Sequence, residues 1–280
     1  MSDFDVFGKK MIYPTNTDPQ KPKPWYLGKD NWRDRAPNWG GTQSTDEHGY
    51  LQFKVVISSN NDREIKTRFR VQSIPGQEAV TEKRQDVLRN RKYMGTTKDW
   101  KNVEITFYAK INETNVSTHN GGPHFELEAR SGLHGDNHHP CEGTALHTNI
   151  YPNGRVKLEK ELSHTDGYCK TDTQRHQKQN AIHNLMGRWF GMKGVFYDVN
   201  DGNVKIEIWL DKNANNNWGT EPVLEYVDAG GWEIDGNDNE CDGRRDEKIV
   251  WGGPVVIFRS DQLKNFDIKY ASVREIIPPL

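Results

Sequence analysis

The sequence is short of hydrophobic mass, of net charge and of cysteine, and each shortage excludes something. Only 33% of the 280 residues are hydrophobic, and no run approaches the length of a membrane span, so no membrane partner is expected. The formal net charge is only -2. The basic residues of 83–92 are confined to one segment, and the remainder are interspersed with acids, so no nucleic-acid partner is expected either. Disorder would combine low hydrophobicity with few aromatics and a large net charge. Nine Trp, ten Tyr and ten Phe argue the reverse, because each ring buries a large area. No repeat of fixed period is present, which excludes a propeller or a solenoid. The opening MSDFDVFGKKM lacks the apolar core of an export leader. Abundant Asn, Gly and Trp, with Cys141 and Cys169 placed where a bridge would close a loop, still point to a secreted or extracellular protein whose leader is absent from this sequence. Cys241 is then left over, and any two of the three cysteines could pair. Asn112-Glu113-Thr114 and Asn115-Val116-Ser117 fit the glycosylation acceptor pattern, which is common by chance.

What is there is β-structure. Residues 1–48 carry four prolines within PTNTDPQKPKPWY and read as an arm that packs on the rest through Trp25, Trp32 and Trp39. From residue 49 onward, short alternating or β-branched runs follow one another. They are LQFKVVI (51–57), KTRFRVQ (66–72), VEITFYAKI (103–111), HFELEAR (124–130), TALHTNI (144–150), RVKLEKEL (155–162), GVFYDV (194–199), VKIEIWL (204–210), PVLEYVDAG (222–230), PVVIFRS (254–260) and FDIKYASVREI (266–276). Tyr151-Pro152-Asn153-Gly154 turns one hairpin and NDGN (200–203) another. Many strands with almost no helical pattern give an all-β domain over 49–280, a two-sheet sandwich or jelly roll.

Seven of the ten histidines lie between His119 and His164, and His is the side chain whose ordinary pKa lies nearest neutrality. In 124–130, Phe125, Leu127 and Ala129 share one strand face, and His124, Glu126, Glu128 and Arg130 share the other. Such alternation predicts a sheet with one solvated side. His147 shares a face with Asn149, and Lys160 precedes a loop holding His164 and Tyr168. Side by side, these strands would present Arg130, His147, Lys160, His164 and Tyr168 in one groove. The set suits β-elimination of a uronic-acid polymer. Cations offset the carboxylate as the enolate develops, and a His or Tyr moves the protons. Arg130 would take the first task with Lys160, Glu126, His164 and Asn149 binding substrate. His147 and Tyr168 would take the second. Lys160 complicates this, since strand alternation puts it on the face of Val156 and Leu158.

Other chemistries are weaker. His134 and His138 lie in a Gly-containing loop as candidate metal ligands, although zinc needs three or four in defined geometry. Asp235 opens an oxygen-rich run, Asp235-Gly236-Asn237-Asp238-Asn239-Glu240, that would suit Ca²⁺ but lacks the calcium-loop spacing. No cofactor is required by the elimination reading. Glu233-Ile234-Asp235 begins the Glu-x-Asp-x-x-Glu strand pattern of one group of sandwich hydrolases, but Asp238 stands where its last Glu belongs. A non-catalytic sugar-binding module would instead show a Trp-lined groove.

HFELEARSG followed by TALHTN resembles the active strands of jelly-roll polysaccharide lyases, the alginate and glucuronan lyases among them. The resemblance implies a concanavalin-like β-jelly roll acting on an acidic polysaccharide. It makes Arg130 a ligand of the uronate carboxylate and His147 a base or charge neutraliser. KYASVREI (269–276) departs from the Lys and Tyr strand of the alginate group, and Tyr168 matches no family position.

Overall fold

The computed structural model describes residues 3–28, 41–57, 65–74, 97–115, 121–131, 144–162, 168–233 and 247–279. Fourteen strands form along them: β1 (Trp25–Tyr26), β2 (Gly41–Thr45), β3 (Leu51–Val56), β4 (Lys66–Gln72), β5 (Val103–Thr114), β6 (His124–Ser131), β7 (Ala145–Ile150), β8 (Val156–Glu161), β9 (Gln177–Lys178), β10 (Trp189–Val199), β11 (Asn203–Asp211), β12 (Leu224–Asp228), β13 (Val255–Asp261) and β14 (Leu263–Glu275). They build two antiparallel sheets. One runs β12-β11-β10-β5-β14-β3-β2 with β1 added to β14, and the other runs β4-β13-β6-β7-β8-β9. The chain crosses repeatedly between them, as a jelly roll does. The fold is the all-β sandwich that the alternation predicts. Three strands escape the sequence pattern: β1 and β9 are two-residue strands, and β2, GTQST, is polar and exposed throughout.

Between the sheets lies a core rich in aromatic rings, with Phe125 of β6 within 5.3 Å of Phe107, 6.4 Å of Phe190 and 5.0 Å of Phe266, centroid to centroid. Gly194 lets the layers approach, because a Cβ there would stand 2.6 Å from Thr148 Oγ1. Residues 3–28 lie along the eight-stranded sheet. The backbone amides of Ile12 and Tyr13 donate to Glu104 Oε2 at 3.0 and 3.2 Å. Glu104 Oε1 in turn pairs with Lys193 at 2.9 Å and with Arg274 at 2.7 Å. Asn115 is buried and its amide donates to Gln262 Oε1 at 2.9 Å, so the acceptor pattern that it begins has no exposed side chain to glycosylate.

Two sequence expectations need correction here. β6 is not half-solvated; all eight of its residues are buried. Alternation reports polarity, and polar residues that satisfy one another can be buried on both sides of a strand. Lys160 does not face the groove. It is fully buried toward the other sheet, with Nζ 2.8 Å from Asp228 Oδ2 and 2.9 Å from the Glu247 carbonyl, and 5.3 Å from the Trp232 ring. That side is the one that it shares with Val156 and Leu158.

Removing one member of a buried pair leaves the other charge uncompensated. Lys160→Met should therefore lower stability in urea unfolding by ~3–5 kcal/mol, and adding Asp228→Leu should restore most of it. A double variant no better than the single one would show that the pair is not what holds this contact.

Candidate functional site

The polar face of the six-stranded sheet is set by strand register. Arg259 of β13 stands opposite Glu126 of β6, and Asp261 opposite His124. Glu126 faces Asn149 of β7 and Glu128 faces His147. Asn149 and His147 then face Lys157 and Glu159 of β8. Tyr168 bridges to Glu161, which brings its ring to 6.2 Å from that of His147.

Glu126 is the hub. His147 Nδ1 hydrogen-bonds Glu126 Oε1, Arg259 Nη1 lies 3.3 Å from Oε2, and His124 Nε2 lies 3.8 Å from Oε2. Arg259 also reaches Asp261 at 2.7 Å and Glu128 at 3.7 Å. The second nitrogen of His147 is 3.4 Å from Glu161 Oε2. Asn149 donates to Glu159 Oε2, whose other oxygen takes Lys157. Glu128 is 0% exposed and neither of its carboxylate oxygens has a hydrogen-bond partner. An unsatisfied buried carboxylate is costly, which marks it as a group kept for something other than stability.

The electrostatics divide these groups. Burial would raise Glu126, but the charges of Arg259 and His147 and the hydrogen bonds of both histidines hold it well below the usual carboxylate range. Burial, with the charge of Glu126 added, raises Glu128. Burial would lower His147, yet Glu126, by charge and hydrogen bond, and Glu161 hold it well above its ordinary value. His147 is therefore an imidazolium at neutral pH. Desolvation, then the charges of Glu161 and Glu126, push the Tyr168 hydroxyl well up, so it keeps its proton.

Arg130 is not part of this face. Ala129 and Arg130 stand opposite the single residue Val256, a bulge, and Arg130 adopts φ 54. A bulge breaks the alternation and re-aims the side chain. The guanidinium donates instead to the carbonyls of Lys101 and Ile249 at 3.0 and 2.7 Å, to Asn102 Oδ1 at 3.2 Å and to Asp198 Oδ1 at 2.8 Å. Of the residues expected in one groove, the structure gathers His147, Tyr168, Glu126 and Asn149; it sends Arg130 and Lys160 elsewhere. His164, His134, His138 and Asp235 lie outside the described residues, as do Cys141 and Cys241. Cys169 is a free buried thiol, pushed up to about 12 by burial. Sequence reasoning missed Arg259 and Asp261. Their signal was two charges at alternate positions in the otherwise apolar run PVVIFRSD.

Among the described residues, two sets of three side chains could hold a metal ion, His124–Glu126–Asp261 and Glu126–Glu128–His147, with ligand atoms within 4.8 Å of one another in each. In the first, Arg259 already supplies positive charge to both carboxylates. In the second, Arg259 likewise lies near both carboxylates, at 3.3 Å from Glu126 and 3.7 Å from Glu128; Glu128 has no hydrogen-bond partner, and an imidazole suits a transition metal better than Ca²⁺.

No protein-family model matches the chain, and no curated protein matches it. Solved structures do. The endo-β-1,4-glucuronan lyase of the fungus Trichoderma reesei aligns with TM-score 0.45 and 9% identity, covering 90% of this chain and 94% of that one. The Ca²⁺-bound exoplasmic/lumenal domain of VIP36 aligns with TM-score 0.41 and 11% identity, covering 87% and 86%. A Bacillus subtilis protein of galectin-like fold aligns with TM-score 0.41 and 12% identity, covering 91% and 100%. These are likenesses of general architecture, so the chemistry has to be read from the side chains. No helix among the described residues is long and apolar enough to cross a membrane.

The charge on His147 has a consequence for stability. Its folded pKa lies above the unfolded value of about 6.5, so its contribution is complete below that value and is lost as pH rises through the folded one. Glu126, depressed, contributes above the ordinary Glu value and loses that as pH falls. In urea titrations on the alkaline side of neutrality, the stability gap between wild type and His147→Gln should therefore shrink as pH rises. Curves that stay parallel would show that His147 is not held charged.

Proposed function

We propose that this protein is a polysaccharide lyase that cleaves a uronic-acid-containing polymer by β-elimination on the polar face of the six-stranded sheet. The observation that carries this reading is that His147 is adjacent both to the Tyr168 ring and to the Glu128 carboxylate, which has no hydrogen-bond partner and stands 3.7 Å from Arg259. The roles differ from those that the sequence suggests. His147, being already protonated, is a charge neutraliser and not the base. With Arg259 and the Asn149 amide it offsets the uronate carboxylate, which makes the adjacent C–H acidic and stabilises the enolate as it forms. Glu128, whose proton affinity is raised, accepts that proton. Tyr168 donates its proton to the departing glycosidic oxygen. The C–O bond breaks, its electron pair leaves with the oxygen, and the double bond forms between the two ring carbons. Lys157 and Glu159, both partly exposed, would meet the polymer at the rim. An acidic polysaccharide is then the partner, and secretion or export is the setting that such a polymer requires. No cofactor enters the reaction; a divalent cation at Glu126–Glu128–His147 would do the neutralising work that His147 otherwise does.

A glycoside hydrolase reading is favoured by one observation. Glu126 and Glu128 share a strand face, and their environments push their pKa values in opposite directions, as an acid and a nucleophile require.

Incubation with polyuronates separates the readings. A lyase releases ends with the ultraviolet absorbance of a conjugated unsaturated uronate, and Tyr168→Phe should cut kcat by about a hundredfold or more. A hydrolase releases reducing ends without that absorbance, and a sugar-binding module retains affinity with no product. Absence of the chromophore on glucuronan, alginate, pectate and glycosaminoglycans would overturn the lyase.

A further inference from the structure

A cavity of about 590 Å³ opens at one end of the polar face, beside the cluster. Its size suits a small ligand or one part of a larger one. Tyr151, Asn153, Arg155, Asn184, Pro123 and Met186 are among its walls, and among the described residues Arg155 is the one charged residue lining it. Two amides and a guanidinium face apolar proline and methionine surface, which is the mixture that a sugar ring with an acidic substituent calls for.

The wall is rigid. Gly154 takes φ +84, and a Cβ there would fall 1.7 Å from the Ile182 carbonyl oxygen, so only glycine allows the β7–β8 turn to sit against 181–185. The amide of Ala181 donates to the Gly154 carbonyl, and that of Leu185 to the Pro152 carbonyl, each at 2.9 Å. Arg155 is set in place rather than waving in solvent. Its guanidinium carbon lies 3.6 Å from the Tyr151 ring centroid, and Nη1 donates to Gln177 Oε1 at 3.3 Å. Among the described residues no carboxylate pairs with it. A half-buried guanidinium that is preorganised by stacking and has donors to spare is suited to a carboxylate.

The cavity also communicates with the cluster. The Tyr151 ring lies 5.0 Å from that of His124 at an interplanar angle of 31°. Arg155, Tyr151 and His124 thus form a continuous line from the pocket to Glu126.

We infer that this cavity is a subsite for a second acidic sugar of the same polymer, its carboxylate held by Arg155 and its ring lying over Pro123 and Met186. The inference rests on the uronate reading above and adds to it a positioning contact one or more sugars from the bond that breaks. A subsite of this kind orients the chain without touching the reacting atoms, so it raises affinity and leaves the chemical step alone.

The test uses the full chain carrying Tyr168→Phe, which blocks turnover, titrated calorimetrically with a short oligouronate and with its carboxyl-reduced neutral counterpart. The acidic oligomer should bind at least about tenfold more tightly, and Arg155→Gln should reduce that preference by about tenfold, as expected for the loss of one charge-assisted contact. In the otherwise wild-type protein, Arg155→Gln should raise KM about tenfold with kcat little changed. An undiminished preference in Arg155→Gln overturns the subsite, even if the wild-type protein releases unsaturated ends. A preference reduced about tenfold in Arg155→Gln, in a protein that releases none, supports the subsite and removes the lyase. Failure to bind either oligomer overturns the subsite outright. Should Arg155→Gln melt early, Asn184→Ala, which leaves the Tyr151 stack intact, serves as the second variant; it should weaken binding of both oligomers, and unchanged affinity would count against the cavity as a sugar site.

Discussion

The Glu126 carboxylate is the point on which the polar face depends. A bare carboxylate in that position would be several kcal/mol out of balance. It is tolerable because a guanidinium from β13 and an imidazole from β7 converge on it, with a second imidazole from its own strand close by. Those cations are themselves buried and need it equally. The three strands are therefore tied by reciprocal desolvation, and the positions of Asp261, Glu128 and Tyr168 follow from it. Whatever the face does, it does with side chains that have almost no rotational freedom left, which is the condition for preorganised electrostatics.

How far this was legible in the sequence depends on which periodicity a residue obeys. Strands such as β3, β4, β6, β7 and β8 announce themselves, because alternation of apolar and polar residues is a local property and the sheet has period two. His147, Glu126 and Asn149 share a face for the same reason. Arg130 breaks the rule because a bulge inserts one residue of left-handed backbone, and nothing in EARSG marks that insertion. Lys160 obeys the rule, and alternation already put it with Val156 and Leu158. A lysine on that face needs a buried partner, and Asp228 from the other sheet supplies it.

Arg259 was hidden for a different reason. It is distant in sequence from every histidine of the cluster and arrives beside β6 only through the crossover that places β13 between β4 and β6. No local pattern encodes such a neighbour. The edge strand β2 was hidden because its five residues are polar and exposed, so its place in the sheet is fixed by backbone hydrogen bonding to β3 and not by side-chain burial.

The position of β14 constrains how this molecule is made. It is the last of the described strands, yet it lies inside the eight-stranded sheet between β5 and β3 and also carries β1. During synthesis the two halves of that sheet have nothing to join them until residues 263–275 leave the ribosome. The arm amides that depend on the Glu104–Arg274 pair wait equally long. Completion of the sheet is thus deferred until β14 emerges, with unpaired strand edges exposed in the interval, the circumstance in which β-proteins are most exposed to aggregation.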